Sequence, residues 1–304
     1  MKDDFDSWLE GREKEPAIPE GELLRGTSVG ECRIVTLLGR GGFAEVYRGE
    51  DADGKPVAIK MLHRLDVKAR MRFELESRIL LKVGGHPNLP QLVSFGSCGE
   101  RPYMVMELLK GCELPNRDRK VAAFLQKVIS AVQALHKHGY LHRDIKPQNI
   151  LMRDDGEPVL VDFGLACPIS KAERAKKAIS VEGLNRIAVG TPGYSAPEQF
   201  SGQDAGVEAD VHAIGVLMRK CFGEKMPKCW DDICMKATNS NPEVRYRTVE
   251  ALGKAIDRRH WRGFLMLIGA GVVIAVTVAL AWGHVAQLLK EKEVPHELPI
   301  SHRI

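Results

Sequence analysis

The chain has 304 residues, of which 44% are hydrophobic and 28% are charged, a composition typical of globular proteins. Its formal net charge of +4 is small for this length, and no basic stripe interleaved with aromatic residues is present, so nucleic acid is excluded as an expected partner. The seven cysteines lack the second pair of closely spaced ligands that a zinc site needs, so we expect free thiols in a reducing compartment.

The first part of the chain, residues 1–30, is rich in aspartate and glutamate and poor in apolar residues. Such a segment cannot bury enough surface to offset the entropy lost on ordering, so we predict a disordered acidic tail. No apolar run follows Met1, and no secretory signal peptide is expected.

Short runs of alternating or β-branched residues follow, separated by glycine turns. They predict five strands, at residues 34–38, 45–48, 57–62, 92–95 and 103–107. Between the third and the fourth strand, the apolar spacing over Val67–Val83 predicts one helix that ends at a pair of glycines. This part of the chain is therefore predicted to be a five-stranded sheet with one helix.

The second half is predicted to be mainly helical. Apolar residues recur at helical spacing over residues 121–135, 207–221, 230–238 and 249–258, with a loop-rich stretch between the first two of these segments. No internal repeat or low-complexity segment interrupts this order.

Residues 264–282 form an uncharged run of nineteen residues, which as a helix would be about 28 Å long, close to the ~30 Å of a bilayer core. We predict a transmembrane helix over residues 263–283 with Trp261 and Trp282 as interface anchors; a buried core helix is the alternative. Basic residues are more frequent before this span than after it, which places the preceding part in the cytoplasm and a short tail, 284–304, outside the membrane. Those basic residues are Lys254, Arg258, Arg259 and Arg262 before the span, and Lys290 and Lys292 after it.

Five motifs that carry chemistry follow one another along the chain. They are LGRGGFAEVY at 38–47, VAIK at 57–60, YLHRDIKPQN at 140–149, DFG at 162–164 and GTPGYSAPE at 190–198. Glycines allow backbone amides to approach phosphate groups without Cβ clashes, and carboxylate and amide oxygens are the ligands that hard metal ions prefer. Each motif alone is a weak signal, whereas all five in this order are a strong one.

Together these motifs resemble the signature set of the protein-kinase family, in its bacterial, eukaryotic-like (Hanks-type) serine/threonine branch. The resemblance covers residues 33–257 and implies the α+β, two-lobed kinase fold, with a small five-stranded sheet lobe carrying one helix and a larger, mainly helical lobe. One C-terminal transmembrane helix is expected to follow this domain. The function implied is that of a membrane-anchored serine/threonine kinase that transfers the γ-phosphate of ATP to protein substrates.

The resemblance also implies roles for particular residues. Asp144 would be the base that accepts the substrate hydroxyl proton, and Lys146 would steady the transferring phosphate. Asn149 and Asp162 would hold Mg²⁺, or alternatively Mn²⁺. The implied nucleotide-contacting residues are Gly39, Arg40, Gly41, Gly42, Phe43, Ala44, Val46, Ala58, Lys60, Glu76, Met106, Glu107 and Leu109.

Three details of that set depend on position in this sequence. Ala44 stands where the family pattern has its third glycine, and a small residue still fits there. Lys60 is expected to pair with Glu76 rather than with Glu74, because the Glu74 side chain points about 160° away on a helix. Met106 is expected to be the gatekeeper at the back of the nucleotide cleft.

Further residues are expected to support the site. Asp210 would brace the catalytic loop, and Arg245 would pair with Glu198. Arg143 could receive a phosphate from an autophosphorylated Ser180 or Thr191, although Thr191 has a structural role as its alternative. His212, where the family commonly has Trp or Tyr, is read as a packing residue.

Two segments, 111–121 and 221–230, are shorter than family members usually have, so substrate specificity is not carried over from the resemblance. Two rival functions are kept. One is a membrane-tethered pseudokinase scaffold, and the other is an adaptor held at the membrane by a partner's transmembrane helix. A homodimer that autophosphorylates in trans is a further expected partner arrangement.

Overall fold

The structure is a computed structural model that describes residues 25–170, 190–201 and 205–292, without the side chains of 259–272 and 286–292. The chain divides into two compact units, Met1–Ile256 and Asp257–Ile304. The predicted acidic tail lies mostly outside the described residues, as do Ser180 and residues 293–304.

A six-stranded antiparallel sheet forms the first part of the larger unit, in the order β1-β2-β3-β4-β6-β5. Its strands are β1 (Ser28–Val29), β2 (Cys32–Arg40), β3 (Ala44–Glu50), β4 (Pro56–Leu62), β5 (Leu92–Cys98) and β6 (Arg101–Glu107). The five predicted strands are confirmed. The sequence prediction missed β1, because two residues are too few to show a periodic pattern.

The one helix of this region is α1, Val67–Val83, as predicted. Its N-cap is Asp66, whose side chain accepts a hydrogen bond from the backbone N–H of Ala69 at 3.1 Å. Phe73, Ile79 and Leu80 are buried on its inner face, and Glu76 is buried on that face as well. The helix therefore holds a carboxylate inside the domain, at a position fixed by apolar packing on both sides of it.

The second part of the unit is mainly helical, and the predicted helices at 121–135, 207–221 and 230–238 are confirmed with ends displaced by up to three residues. Its apolar core includes Val128, Ile214 and Leu217, and buried Trp230 donates its indole N–H to Asp118 Oδ1 at 3.1 Å. The helices are α2 (Asp118–Lys137), α3 (Pro197–Phe200), α4 (Val207–Phe222), α5 (Lys228–Ala237) and α6 (Val249–Lys292). Short strands between them are β7 (Lys110–Gly111), β8 (Tyr140–Leu141), β9 (Ile150–Met152), β10 (Pro158–Leu160) and β11 (Cys167–Pro168).

The shortened segments noted in the sequence are short in the structure too. Only a single 3-10 turn, Gly223–Lys225, and two further residues separate α4 from α5, and six residues separate β7 from α2. The cysteines are free thiols, as expected. Among the described residues, no group of three or more His, Cys, Asp or Glu side chains could hold a metal ion, and so no zinc site is found there.

The last helix is longer than the pattern indicated. The sequence predicted one helix over 249–258 and a separate one over 263–283, whereas α6 runs without a break from Val249 to Lys292. Within the part of the chain that the structure describes, no helix is long and apolar enough to cross a membrane. The transmembrane prediction is therefore not confirmed, and residues 263–272 of the predicted span lie outside the described side chains.

Candidate active site

A cleft of about 740 Å³ lies beneath the β2–β3 hairpin, within the size range of small-molecule sites. All thirteen residues predicted to contact a nucleotide line it, and so do Asn149 and Asp162. The structure adds lining residues that no motif indicated, among them Arg72 of α1, Leu151 of β9 and Val161. The fold thus brings motifs that are more than a hundred residues apart to one cavity.

A charged trio joins three of these elements inside the cleft. Lys60 of β4 places its Nζ 2.7 Å from both carboxylate oxygens of Glu76 and 3.4 Å from Asp162 Oδ1. Burial alone would lower the pKa of Lys60, but the two carboxylates raise it above its usual range, so the side chain is an ammonium ion. Glu76, not Glu74, is the partner, as predicted; Glu74 instead pairs with Arg78 at 2.8 Å.

Asp162 is held in an uncommon backbone conformation. Its φ of +66° lies in the left-handed region, which residues other than glycine rarely adopt. Phe163, which is 1% exposed, packs edge-on against the His142 ring at 5.3 Å between centroids. The Asp162 carboxylate remains about half exposed toward the cleft, and the Lys60 ammonium lowers its pKa below the usual range. A strained turn therefore presents an ionised carboxylate to the cavity.

The catalytic-loop residues form a second hydrogen-bonded group centred on Asp144. Its Oδ2 accepts from Lys146 Nζ at 2.7 Å and from Asn149 Nδ2 at 2.9 Å, and its Oδ1 accepts from the Thr191 hydroxyl at 2.7 Å. Lys146 Nζ also donates to the Thr191 oxygen at 2.8 Å. Because the Thr191 hydroxyl is bonded to both Asp144 and Lys146, the geometry favours the structural role that was the alternative for this residue.

Buried Asp210 of α4 holds the backbone of the catalytic loop that carries Asp144. It accepts hydrogen bonds from the backbone N–H groups of His142 and Arg143 at 3.0 and 2.8 Å, and it lies 2.8 Å from His136 Nε2. Burial alone would raise the pKa of Asp210, but these donors stabilise the carboxylate and hold its pKa below the usual range. The predicted bracing role is confirmed, and His136 is a partner that the motifs did not reveal.

Arg143 itself adopts a left-handed conformation with φ +66°. Its Nε donates to the Leu165 carbonyl at 2.7 Å, and its own carbonyl accepts from Gln199 Nε2 at 2.9 Å. The loop that carries Asp144 is therefore fixed by the segment after Asp162 and by α3 at once.

The GTPGYSAPE segment is anchored by a buried ion pair. Arg245 donates from both terminal nitrogens to Glu198, at 2.6 and 2.9 Å, and the Arg245 side chain is 0% exposed. The predicted pair is confirmed.

At Gly190 a Cβ atom would lie 2.0 Å from Ser195 Oγ, and φ is +136°, so only glycine fits at the start of this segment. His212 lies 3.2 Å from the Tyr194 carbonyl, which agrees with a packing role.

At the back of the cleft, Glu107 offers its backbone rather than its side chain. Both Glu107 carboxylate oxygens accept hydrogen bonds from Arg153, each at 2.7 Å, and one of them also accepts from the Gln91 backbone N–H at 2.9 Å. Met106 pairs with Ala58 across β6 and β4, so both line the same wall. A purine would therefore meet an apolar wall and the main chain.

Two side chains of the cleft offer oxygen ligands for a metal ion. Asn149 uses its Nδ2 on the backbone and side-chain oxygens of Asp144, both at 2.9 Å, which leaves Oδ1 as its remaining polar atom. Asp162 contributes its ionised carboxylate. Oxygen donors of this kind suit a hard divalent cation, for which substrate phosphates can supply further ligands.

Comparison with known proteins agrees with this geometry. A family model described as "Protein kinase domain" matches residues 32–254. Serine/threonine-protein kinase Pkn1 of Myxococcus xanthus is 35% identical over 226 residues, covering 70% of this chain and 32% of the relative. Probable serine/threonine-protein kinase PknB of Lactococcus lactis is 30% identical over 258 residues, covering 75% and 39%. Serine/threonine-protein kinase PknL of Mycobacterium tuberculosis is 30% identical over 279 residues, covering 78% and 67%. The chain thus spans about a third of the length of the first two relatives.

Proposed function

The chain belongs to the protein kinase family, and we propose that it transfers the γ-phosphate of ATP to serine and threonine hydroxyls of protein substrates. The observation that carries this proposal is the Lys60–Glu76 pair, with both carboxylate oxygens 2.7 Å from the ammonium, in one cleft with Asp162. In this family that pair must be formed for phosphoryl transfer. The names of the curated relatives support serine and threonine as the acceptors.

The residues of the cleft and of the adjoining catalytic loop divide the chemistry between them. Lys60 binds the phosphates that leave with ADP, and Asp144 holds the substrate hydroxyl and accepts its proton. The new bond joins the substrate oxygen to the γ-phosphorus, while the bond from that phosphorus to the β–γ bridging oxygen breaks. Lys146, which bonds to Asp144 Oδ2 at 2.7 Å, is placed to offset the charge that develops on the phosphoryl group.

Asn149 and Asp162 would hold Mg²⁺ or, alternatively, Mn²⁺. Both oxygen donors suit a hard cation, and Asp162 is kept ionised by Lys60. When bound, such an ion neutralises charge on the phosphates. The Asp162 turn, with Gly164 N–H donating to Asp162 Oδ1 at 3.3 Å, keeps that carboxylate pointed at the cleft.

The pseudokinase scaffold is the weaker reading. A scaffold needs no lysine–glutamate pair, no base and no metal ligands, whereas Lys60, Glu76, Asp144, Asn149 and Asp162 are all of catalytic type and lie in bonding geometry. The shortened loops between β7 and α2 and between α4 and α5 do not line the cleft.

Incubation of the full-length chain with radiolabelled ATP, magnesium and a generic basic protein tests the proposal. We expect label on serine or threonine and none on tyrosine, and no label with Asp162→Ala, because that variant lacks the exposed carboxylate of the cleft. Equal labelling by the wild-type chain and the Asp162→Ala variant would rule out catalysis by this site. Mass spectrometry of the same reaction tests autophosphorylation; the absence of phosphate between residues 165 and 195 would contradict it.

We further propose that residues 263–283 anchor the chain in a membrane, with the kinase domain in the cytoplasm. The support is the uncharged run 264–282, together with the apolar side chains of α6 that are exposed, such as Val273, Ile274 and Leu280. We expect the expressed chain to stay in the membrane pellet after alkaline carbonate extraction, and a chain that ends at residue 260 to be released. Release of the full-length chain would overturn the anchor.

A homodimer that phosphorylates itself in trans stays a prediction, which mixing active and Asp162→Ala chains would test.

A further inference from the structure

Phe43, at the tip of the glycine-rich β2–β3 hairpin, has two guanidinium groups close to its ring. The Arg72 guanidinium carbon is 4.8 Å from the centre of the Phe43 ring, and that of Arg64 is 5.3 Å from it. Both distances are within the ~6 Å over which a cation is attracted to the face of an aromatic ring. None of the five sequence motifs includes Arg64 or Arg72.

Both arginines are fixed to α1. Arg72 lies one helical turn before Glu76 on the face that lines the cleft. Arg64 precedes the helix and pairs with Asp66 Oδ2 at 3.0 Å, while the other oxygen of Asp66 caps the helix. The two cations that face Phe43 therefore move with the helix that carries the partner of Lys60.

The main chain of the hairpin tip is tied to the same segment. The Phe43 carbonyl accepts hydrogen bonds from the backbone N–H groups of His63 and Arg64, at 3.0 and 3.2 Å. The His63 ring donates from Nε2 to the Gly41 carbonyl at 3.0 Å. These contacts place the Phe43 ring beside the arginines without any need for the hairpin to reorganise.

Arg72 makes no hydrogen bond or ion pair with any residue that the structure describes, and it is half-buried. Burial of a guanidinium is costly unless another group compensates it. The Phe43 ring is in contact with the Arg72 cation, while the Asp66 carboxylate attracts it without forming an ion pair.

We propose that Phe43, Arg64 and Arg72 form a clamp that holds the glycine-rich loop closed over the nucleotide phosphates and couples this closure to the position of α1. This inference rests on the proposed function, since it assigns the loop to ATP. Arg64 and Arg72 are positioning residues that act through Phe43. When α1 moves and the Lys60–Glu76 pair opens, the clamp opens with it, so loop closure and the catalytic ion pair form together.

One competing role for Arg72 follows from its place in the cleft, where it could bind a phosphate directly. The two roles predict different outcomes in a double-mutant cycle. If Arg72 acts through Phe43, the loss of either partner removes the same contact. The double variant then binds ATP as tightly as the single variant with the lower ATP affinity. If Arg72 binds phosphate directly, the two losses multiply.

The test measures dissociation constants of the full-length chain for ATP with magnesium and, separately, for adenosine, which has no phosphates for the loop to cover. We expect Arg72→Met and Phe43→Leu each to weaken ATP binding by about threefold to tenfold, with the double variant no weaker and adenosine binding unchanged. Arg72→Lys, which keeps a cation, should recover most of the affinity. Arg78→Met is the matched control on the same helix, because Arg78 pairs with Glu74 instead.

Wild-type ATP affinity in both single variants, multiplying losses in the double variant, or an equal loss of adenosine affinity would each overturn the clamp. If Arg72→Met does not fold, Arg64→Met with Phe43→Leu completes the same cycle. Since binding is measured without phosphate transfer, a chain that binds ATP through the clamp but transfers no phosphate would contradict only the proposed function.

Discussion

Asp144→Asn is expected to lower the turnover number for substrate phosphorylation by roughly 100-fold to 10,000-fold, the range that a positioned general base contributes. The asparagine has the same shape, and its single carbonyl oxygen can still accept from Lys146, while its amide group faces the Thr191 hydroxyl, which can accept instead of donate; in the wild type both contacts to the Asp144 oxygens are 2.7 Å long. It cannot take a proton from the substrate hydroxyl. Initial rates of phosphate transfer to a protein substrate at saturating ATP measure this loss.

The affinity for ATP should stay within about twofold in the same variant, because Asp144 is not among the residues that line the nucleotide cleft. Asp154→Asn is the matched control, since Asp154 is an exposed aspartate that pairs with Lys110 away from the cleft. A residual rate within tenfold of the wild type would show that another group accepts the proton. A parallel loss of ATP affinity would show instead that the substitution disturbs the fold of the loop.

The elements of the domain could be predicted wherever one local pattern governs them. The spacing of Met71, Leu75, Ile79 and Leu80 was enough to predict α1, because a helix that packs on a sheet needs one apolar face and little else. The continuous α6 was divided in the prediction because the basic residues at 258 and 259 interrupt the apolar spacing. Arginine is nevertheless a good helix former, so the backbone continues where the periodicity stops.

For the candidate site, the sequence located the residues that stand in motifs but not the partners that hold them in place. Lys60, Asp144 and Asp162 could be located because each stands in a motif of fixed sequence. His136 contacts Asp210 across 74 positions of the chain, and Arg72 contacts Phe43 from a different element. Such partners are chosen by the folded geometry and leave no local pattern, so the sequence could not have indicated them.

The Arg245–Glu198 pair shows how the fold holds the GTPGYSAPE segment, residues 190–198. Arg245 also donates from Nε to the Asn239 carbonyl at 2.6 Å and from a terminal nitrogen to the Glu208 carbonyl at 3.0 Å, so one buried guanidinium joins α3, the start of α4 and the turn after α5. Removing it leaves the buried Glu198 carboxylate without its cation. The cost of breaking such a pair is about 3–5 kcal/mol.

Arg245→Met should therefore lower the thermal midpoint of the kinase domain by about 10 °C, given that ~1 kcal/mol corresponds to ~2–4 °C for a domain of this size. Arg33→Met is the matched control: the Arg33–Glu50 pair is 2.9 Å long but exposed, and exposed pairs contribute about 0–1 kcal/mol. Thermal unfolding followed by circular dichroism measures both. The double variant Arg245→Met with Glu198→Leu should recover part of the loss, because it removes the unpaired charge as well. A midpoint for Arg245→Met equal to that of Arg33→Met would mean that the pair contributes no more than a surface contact, and that the segment 190–198 is held by its backbone contacts alone.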